Sequence, residues 1–492
     1  MINSAENVGC ENITDGLPLF PESVPGSAHT VPPPLMPFNI FPDPTAELLN
    51  RLESSKSEES AVAESCACES DDHSPADHGY KIADIFRLYW KDYQAVNPVT
   101  ERQYKAVYDI LNCRTGAFGY SISACDNCGH TETFPNSCRN SHCPECQGLC
   151  RNEWVNARLD DLLPVPYHHA VFTLPDKIFP FCLYNQKTVY DLLFSAAAET
   201  LKEFGYDIKW LGGKTGFFMV LHTWGQLLTS HPHVHCVIPA GAYNEAAGEW
   251  VFPRYEKNNF LFPVRALSKV FRGKFIQGLK EAFDKGVLEF PGELEALKCK
   301  GRFNAYLNKL VSKEWVVYSK APFSGAEAAV RYVGRYTFRV AISSARIITI
   351  DNGVIRFKFK NYKKLKDAVN YSDIWEETEL PADEFIRRFL YHILPKSYHR
   401  IRHYGFLSGS GKGLLQEIWE QLVFEEEAGL QEIKTESYAG TPCPECENGV
   451  LLPIVVIDGS GRIIQGSFSE LAAFRAVKKD TFEAGKAAWD TS

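Results

Sequence analysis

An α+β fold, built on an antiparallel sheet with helices packed on one side, is predicted by three observations. Residues 167–175 read as a buried strand, a helical stretch over about 185–204 follows, and "GFFMVLHTWGQLL" and residues 231–238 then read as two further strands. Ahead of this alternation stand two Cys-x2-Cys turns rich in Gly and Pro. Before residue 80 the sequence is acidic, Pro- and Ser-rich and without periodicity. The implied organisation is a disordered acidic tail over 1–79, a helical lead-in with a small ribbon-like module over 80–163, the sheet domain over 164–410, and an acidic extension over 411–492.

The chain has 492 residues and no apolar run of membrane-spanning length, so a soluble protein with no membrane partner is expected. Its start, "MINSAENVGCENITDG", has no basic stretch followed by an apolar core. A cytoplasmic, reducing location is therefore expected, in which the fifteen Cys hold metal rather than disulfides. The net charge of −9 hides an uneven distribution: −12 over residues 1–80, −7 over 411–492 and +10 over the body between them. A basic body is a footprint suited to a polyanion. Cys66, Cys68 and His73 lie in the tail and are read as solvated.

Residues 80–111 have helical periodicity, and Thr100 with Gln103 reads as a capping box for the second of two helices. Cys125 and Cys128, then Cys143 and Cys146 after fourteen intervening residues, have the spacing by which two turns present four thiolates to one zinc ion. Cys113, Cys138 and His142 lie near enough to form a second or different ligand set, and Cys150 is assigned to a following helix. Cys443 and Cys446 repeat the knuckle spacing near the end, as half a site unless residues elsewhere complete it.

His233 and His235 flank Val234 on a strand, so both imidazoles point to one face while Val234 is buried behind them. That is half a divalent-metal site. Gln226, His222 and His231 are the alternatives for a third ligand.

Ser324 and Glu327 read as a capping box that opens a helix with Tyr332 and Tyr336 one turn apart. The same spacing occurs at Tyr89/Tyr93 and Tyr104/Tyr108, so spacing alone distinguishes nothing. Arg331, Arg335 and Arg339 flank Tyr332 and Tyr336, and guanidinium groups suit phosphate. A hairpin turning at Asp351-Asn352-Gly353 carries Arg356, Lys358 and Lys360, and Arg387 and Arg388 add to the basic residues suited to a polyanion. Residues 264–280 read as an amphipathic helix that packs in the core. The sequence contains no GxxxxGK[ST] loop.

The phrases "CRTGAFGY", "NSCRNSHCPECQG", "LLPVPYHHAVFTLP", "LHTWGQ", "HPHVHCVIPAG", "YVGRYTFRVAIS" and "DEFIRRFLYHILPKSYHRIRHYGFL" occur in one order. With them the chain resembles the insertion-sequence-91 family of rolling-circle transposases, which are HUH endonucleases, over roughly residues 81–410. The resemblance implies His233 and His235 as ligands of a catalytic Mg²⁺ or Mn²⁺, Tyr332 and Tyr336 as nucleophiles, and structural zinc in the Cys module. It also implies cleavage and joining of single-stranded DNA at insertion-sequence ends through a 5′-phosphotyrosine, in a nucleoid-associated prokaryotic protein whose Arg331, Arg335, Arg356, Lys358, Lys360, Arg387 and Arg388 line an approach for DNA and whose DNA unwinding is left to a host helicase. A plasmid replication initiator or relaxase would use the same chemistry. Two rivals come from other classes: a zinc hydrolase, and a noncatalytic zinc-ribbon DNA binder. The His-x-His-x-Asp form of the hydrolase fails because position 237 is Val.

Overall fold

The computed structural model describes residues 79–147, 162–253, 261–320, 334, 340–362, 364, 371–426, 441–446 and 448–489. The predicted acidic tail, the predicted helix after Cys150 and the predicted helix carrying Tyr332 and Tyr336 lie outside the described residues, apart from Gly79, Gly334, Val340 and Ala341.

The lead-in consists of α1 (Ile82–Val96) and α2 (Glu101–Asn112). Thr100 caps α2 as its sequence predicts: its hydroxyl accepts the Gln103 N–H at 3.2 Å, and the Gln103 side-chain oxygen accepts the Thr100 N–H at 2.9 Å. Two donors that the helix itself cannot satisfy are thereby paired. A hairpin of β1 (Tyr120–Cys125) and β2 (Thr131–Pro135) follows.

The central layer is formed by β3 (Tyr167–Thr173), β4 (Phe217–Trp224) and β5 (Ser230–Pro239), with α3 (Gln186–Tyr206) between β3 and β4. After β5 come α4 (Val264–Asp284) and β6 (Val317–Lys320). The chain continues through β7 (Ile347–Asp351), β8 (Val354–Lys360), β9 (Trp375–Pro381), α5 (Ala382–Tyr391) and β10 (Ile401–Tyr404). It ends in α6 (Lys412–Glu426), β11 (Thr441–Pro442), β12 (Val450–Ile457), β13 (Ile463–Gln465) and α7 (Phe468–Trp489).

The central sheet has the order β10-β4-β5-β3-β6, antiparallel throughout. Alternation along its strands gives the two faces different work. Phe172, Met219, Leu221, Val234 and Cys236 share one apolar core with Leu193 and Ala197 of α3 and Phe271 and Phe275 of α4. Val234 is fully buried, as its place between two histidines predicts. The other parity supplies Tyr167, Phe218, Val220 and Val237, which pack with Phe406 of the segment after β10 and Ile418 of α6. His222, His233 and His235 belong to this second set.

A second core joins Phe86 of α1 and Val107 of α2 to Ile355 and Phe357 of β8, Phe385 and Phe389 of α5, and Cys143 and Cys146. The β7–β8 turn has Asn352 at φ 48° and Gly353 at φ 79°, the pair of positive values that a two-residue hairpin matching strand twist requires.

The C-terminal extension is not a separate appendage. β12 pairs antiparallel with β1 from Tyr120↔Ile457 to Cys125↔Leu451, giving a sheet of order β11-β12-β1-β2 with β13 on β12. Among the described residues no helix is long and apolar enough to cross a membrane.

Candidate functional site

His222 of β4 stands directly opposite His233 of β5 in the antiparallel register, and His235 lies two residues on along the same face. Strand pairing thus brings three imidazoles together, with one ligand nitrogen from each within 4.8 Å of the others. The Nε2 atoms of His233 and His235 are 3.1 Å apart. Two nitrogens bound at about 2.1 Å on adjacent positions of one ion would be separated by roughly 3 Å, so the spacing fits a shared cation.

The surroundings set the imidazoles up as neutral ligands. His233 Nδ1 is 2.6 Å from the His231 carbonyl, which can only accept, so Nδ1 carries the proton and Nε2 presents a lone pair. Burial, then the neighbouring His231 and His222, hold His233 well below the ordinary imidazole range. Behind His235, the fully buried His169 of β3 places its Nε2 at 2.9 Å from His235 Nδ1. Trp224 stacks on His222 with ring centroids 4.7 Å apart, which limits how that ring can turn.

Of the three alternatives for the third ligand, the structure brings up His222. Gln226 lies beyond the end of β4 in the Gly225–Thr229 turn, where its side-chain nitrogen donates to the Tyr362 hydroxyl at 3.3 Å and its oxygen accepts from Lys360 N at 3.4 Å. It is a brace between β4 and β8. His231 contributes its carbonyl to His233, and its own ring is outside the group of three. His169 was not singled out in the sequence. Its signal was parity: Tyr167, His169 and Val171 alternate with the apolar residues of β3.

The four thiols Cys125, Cys128, Cys143 and Cys146 do not form one site, which corrects the expectation drawn from their spacing. Cys143 and Cys146 gather with Cys113 and Cys138, whereas Cys125 and Cys128 gather with Cys443 and Cys446. The cause is the β1–β2 hairpin. Cys125 ends β1 at the turn, whereas β2 runs back until Pro135 pairs with Tyr120 at the other end. Five residues of strand span roughly 15 Å, so the first knuckle and the residues after Pro135 lie at opposite ends.

In the first group, Cys138 and Cys146 Sγ are 3.8 Å apart, close to the edge of a tetrahedron of sulfurs at about 2.3 Å from zinc. Cys138 N donates to Cys113 Sγ and Asn140 N to Cys138 Sγ, both at 3.5 Å. Hydrogen bonding from Cys138, then Cys143 and Cys146, drives the Cys113 thiol strongly towards its ionised form. His142 is not part of the group: it is buried, and its Nε2 accepts the Leu394 N–H at 3.3 Å.

The basic residues expected to face DNA divide into two kinds. Arg356 and Lys358 are exposed on β8, although β9 sets Glu379 and Glu377 opposite them and Arg356 reaches Glu379 at 3.4 Å. Lys360 is buried over the Trp375 ring. Arg388 is buried, bonded to Glu384 at 2.6 Å and to the Leu227 carbonyl at 3.2 Å, so it holds the turn after β4. Arg387 also pairs with Glu384 and lies over Tyr391. Arg331 and Arg335 lie, with Tyr332 and Tyr336, outside the described residues.

Comparison with known proteins covers both halves of this arrangement. Residues 85–174 match the family described as "Transposase zinc-binding domain", and residues 216–413, which include β4 and β5, match the family described as "Putative transposase". The chain is 41% identical over 395 residues to "Putative transposase y4qJ" of Sinorhizobium fredii, covering 77% of this chain and 96% of that protein. It is 27% identical over 322 residues to "Transposase for insertion sequence element IS801" of Pseudomonas savastanoi pv. phaseolicola, covering 65% of this chain and 73% of that protein. No solved structure matches at a significant level.

Proposed function

The chain belongs to the insertion-sequence-91 family of transposases, and we propose that it cuts and rejoins single-stranded DNA at the ends of its element as an HUH endonuclease, with Tyr332 and Tyr336 as nucleophiles. The observation that carries this reading is the convergence of His222, His233 and His235 on one sheet face. A divalent cation there would draw charge from the non-bridging oxygens of a phosphate and from its leaving oxygen. Three imidazoles, with no carboxylate in the group among the described residues, favour Mn²⁺ over Mg²⁺, which prefers oxygen ligands.

The residues of the chain account for the rest. A phenol has a pKa of about 10 and attacks poorly at neutral pH unless the phosphate is made more electrophilic. Attack by a Tyr oxygen forms the O–P bond of a 5′-phosphotyrosine and breaks the bond to the 3′ oxygen, which leaves with a proton as a 3′-hydroxyl. The phosphodiester energy is retained for rejoining. A second Tyr one helical turn away would let one end be held while another is cut. Arg331, Arg335, Arg356 and Lys358 are the residues proposed to contact DNA. Arg387, Arg388 and Lys360 are engaged within the fold and are proposed to support it. The substrate must be unpaired, so strand separation is proposed to come from a host helicase in the bacterial cytoplasm.

The test uses the full-length protein, Mn²⁺ and single-stranded DNA bearing an element end. DNA labelled at its 3′ end is expected to shift to a protein-linked band on a denaturing gel, and 5′-labelled DNA to shorten without a shift. Both products should vanish in His235→Ala and in EDTA. Cleavage at full rate under either condition overturns the reading.

A further inference from the structure

The knuckle Cys125-Asp126-Asn127-Cys128 closes β1, and the knuckle Cys443-Pro444-Glu445-Cys446 leads into β12, the neighbour of β1. Residues more than 300 positions apart thereby face one another. Cys125 and Cys446 Sγ are 3.6 Å apart, Cys128 and Cys443 Sγ are 3.7 Å apart, and all four sulfurs lie within 4.8 Å of one another. A disulfide would need about 2 Å, whereas sulfurs at about 2.3 Å from a tetrahedral zinc stand roughly 3.8 Å apart.

Three further features suit a cluster of thiolates. Backbone N–H groups of Asn127 and Cys128 point at Cys125 Sγ at 3.3 and 3.4 Å, and the Asn127 side-chain amide points at Cys446 Sγ at 3.5 Å. Donors aimed at sulfur stabilise its charged form. Gly449 lets the backbone close over the sulfurs, since a Cβ there would meet Cys125 Sγ at 2.3 Å and Cys446 Sγ at 2.8 Å. Asp126 locks the two knuckles together: its N–H donates to the Val450 carbonyl at 3.0 Å, and its carboxylate accepts the Val450 N–H at 2.8 Å.

We propose that Cys125, Cys128, Cys443 and Cys446 bind a second structural zinc ion, which clamps the C-terminal extension onto the N-terminal module. The region matching the zinc-binding family ends at residue 174 and the other matched region ends at 413, so Cys443 and Cys446 belong to neither. The clamp secures a small core in which Ala124, Val455 and Leu471 are buried and Ile122, Ile454, Ile457 and Phe474 are only partly covered, so it holds β12 and α7 weakly by itself. Metal binding supplies what that core lacks.

Full-length protein carrying His233→Ala and His235→Ala, so that the imidazole group holds no zinc, and purified under reducing, chelator-free conditions is expected to contain two zinc ions per chain by elemental analysis. In that background Cys443→Ser with Cys446→Ser should contain one and become open to proteolysis before residue 450, and Cys143→Ser with Cys146→Ser should lose the other. A measurement on the unaltered chain guards against misfolded variants: alkylation mapped by mass spectrometry should spare Cys443 and Cys446 until a chelator is added. One zinc in the His233/His235 background, two when Cys443 and Cys446 are also replaced there, or equal alkylation of these two thiols with and without chelator would each overturn the proposal.

Discussion

His169 Nε2 lies 2.9 Å from His235 Nδ1, and the two rings are parallel to within 3°. For His235 Nε2 to bind a cation, its proton must sit on Nδ1, where His169 Nε2 accepts it. On the proposed reading His169 would be a positioning residue that fixes both the tautomer and the tilt of His235. Partners of this type change metal affinity by about 10–100-fold when removed. His169→Ala is expected to weaken Mn²⁺ binding by that factor, read by electron paramagnetic resonance titration without DNA. Affinity equal to that of the parent protein would show that the contact is packing alone.

His392 ties α5 to the turn after β4. Its Nε2–H donates to the Leu228 carbonyl at 3.0 Å, and its Nδ1 accepts the Thr223 hydroxyl at 3.1 Å. Burial pushes its pKa down from 6.5 to about 4. The unfolded chain therefore takes up a proton between pH 6.5 and 4 that the folded protein refuses, so stability falls as the pH is lowered through this window and levels off below it. The loss attributable to His392 is on the order of 3 kcal/mol. His392→Gln keeps one donor and one acceptor without the titration. The stability difference between parent and variant, measured by urea unfolding, should shift against the parent from pH 7 to pH 4. A constant difference would count against a neutral buried imidazole.

Cys143 and Cys146 sit in the same core as α1, α2, β8 and α5, so their metal site is part of the packing rather than an independent bead. Cys143→Ser is expected to cost on the order of 5 kcal/mol and to loosen the β7–β8 hairpin as well as the Cys module. Hydrogen exchange should rise at Ile355 and Phe357 in this variant and in protein treated with chelator. A fragment beginning at residue 165 would lack α1 and α2, uncovering the side of Phe389 that packs on Phe86, and should aggregate.

Local signals in the sequence are legible because their physics is local. The Thr100 cap, the Asn352-Gly353 turn and the burial of Val234 each depend on residues only a few positions apart. The histidine pair was visible for the same reason, but its third member required the register of β4 on β5, in which a shift of one residue would have turned His222 to the other face. The cysteines mislead in an instructive way. Four thiols close in sequence suggest one site, but a hairpin lies between the two pairs, and the partners of Cys125 come from beyond residue 440. No periodicity reports a pairing over that distance. Arg388 belongs to a basic run that suggests a DNA-facing surface, but Glu384 and the Leu227 carbonyl satisfy its guanidinium inside the fold, which no feature of the run reports.

Tyr332 and Tyr336 share their spacing with two other pairs, and the fold gives those pairs defined work that makes them controls. The Tyr89 hydroxyl accepts the Gly353 N–H at 3.1 Å, and the Tyr93 phenol is held protonated by burial. Tyr104 and Tyr108 are about half exposed, beside Trp90 and Phe118. If Tyr332 and Tyr336 are both nucleophiles on the helix their sequence predicts, either single Tyr→Phe change should leave a covalent adduct, because helical spacing would put the neighbour about 5–6 Å away, within reach of the phosphate. The double change should reduce the adduct at least 100-fold, since the ring that remains preserves packing but carries no oxygen. Tyr104→Phe with Tyr108→Phe should leave the adduct unchanged. Tyr89→Phe should cost about 1 kcal/mol of stability through its lost hydrogen bond and leave the chemistry intact. Mapping the DNA-linked peptide by mass spectrometry decides between the pairs, and a label recovered on Tyr104 or Tyr108, or an undiminished adduct in the Tyr332/Tyr336 double variant, would remove both residues from the chemistry.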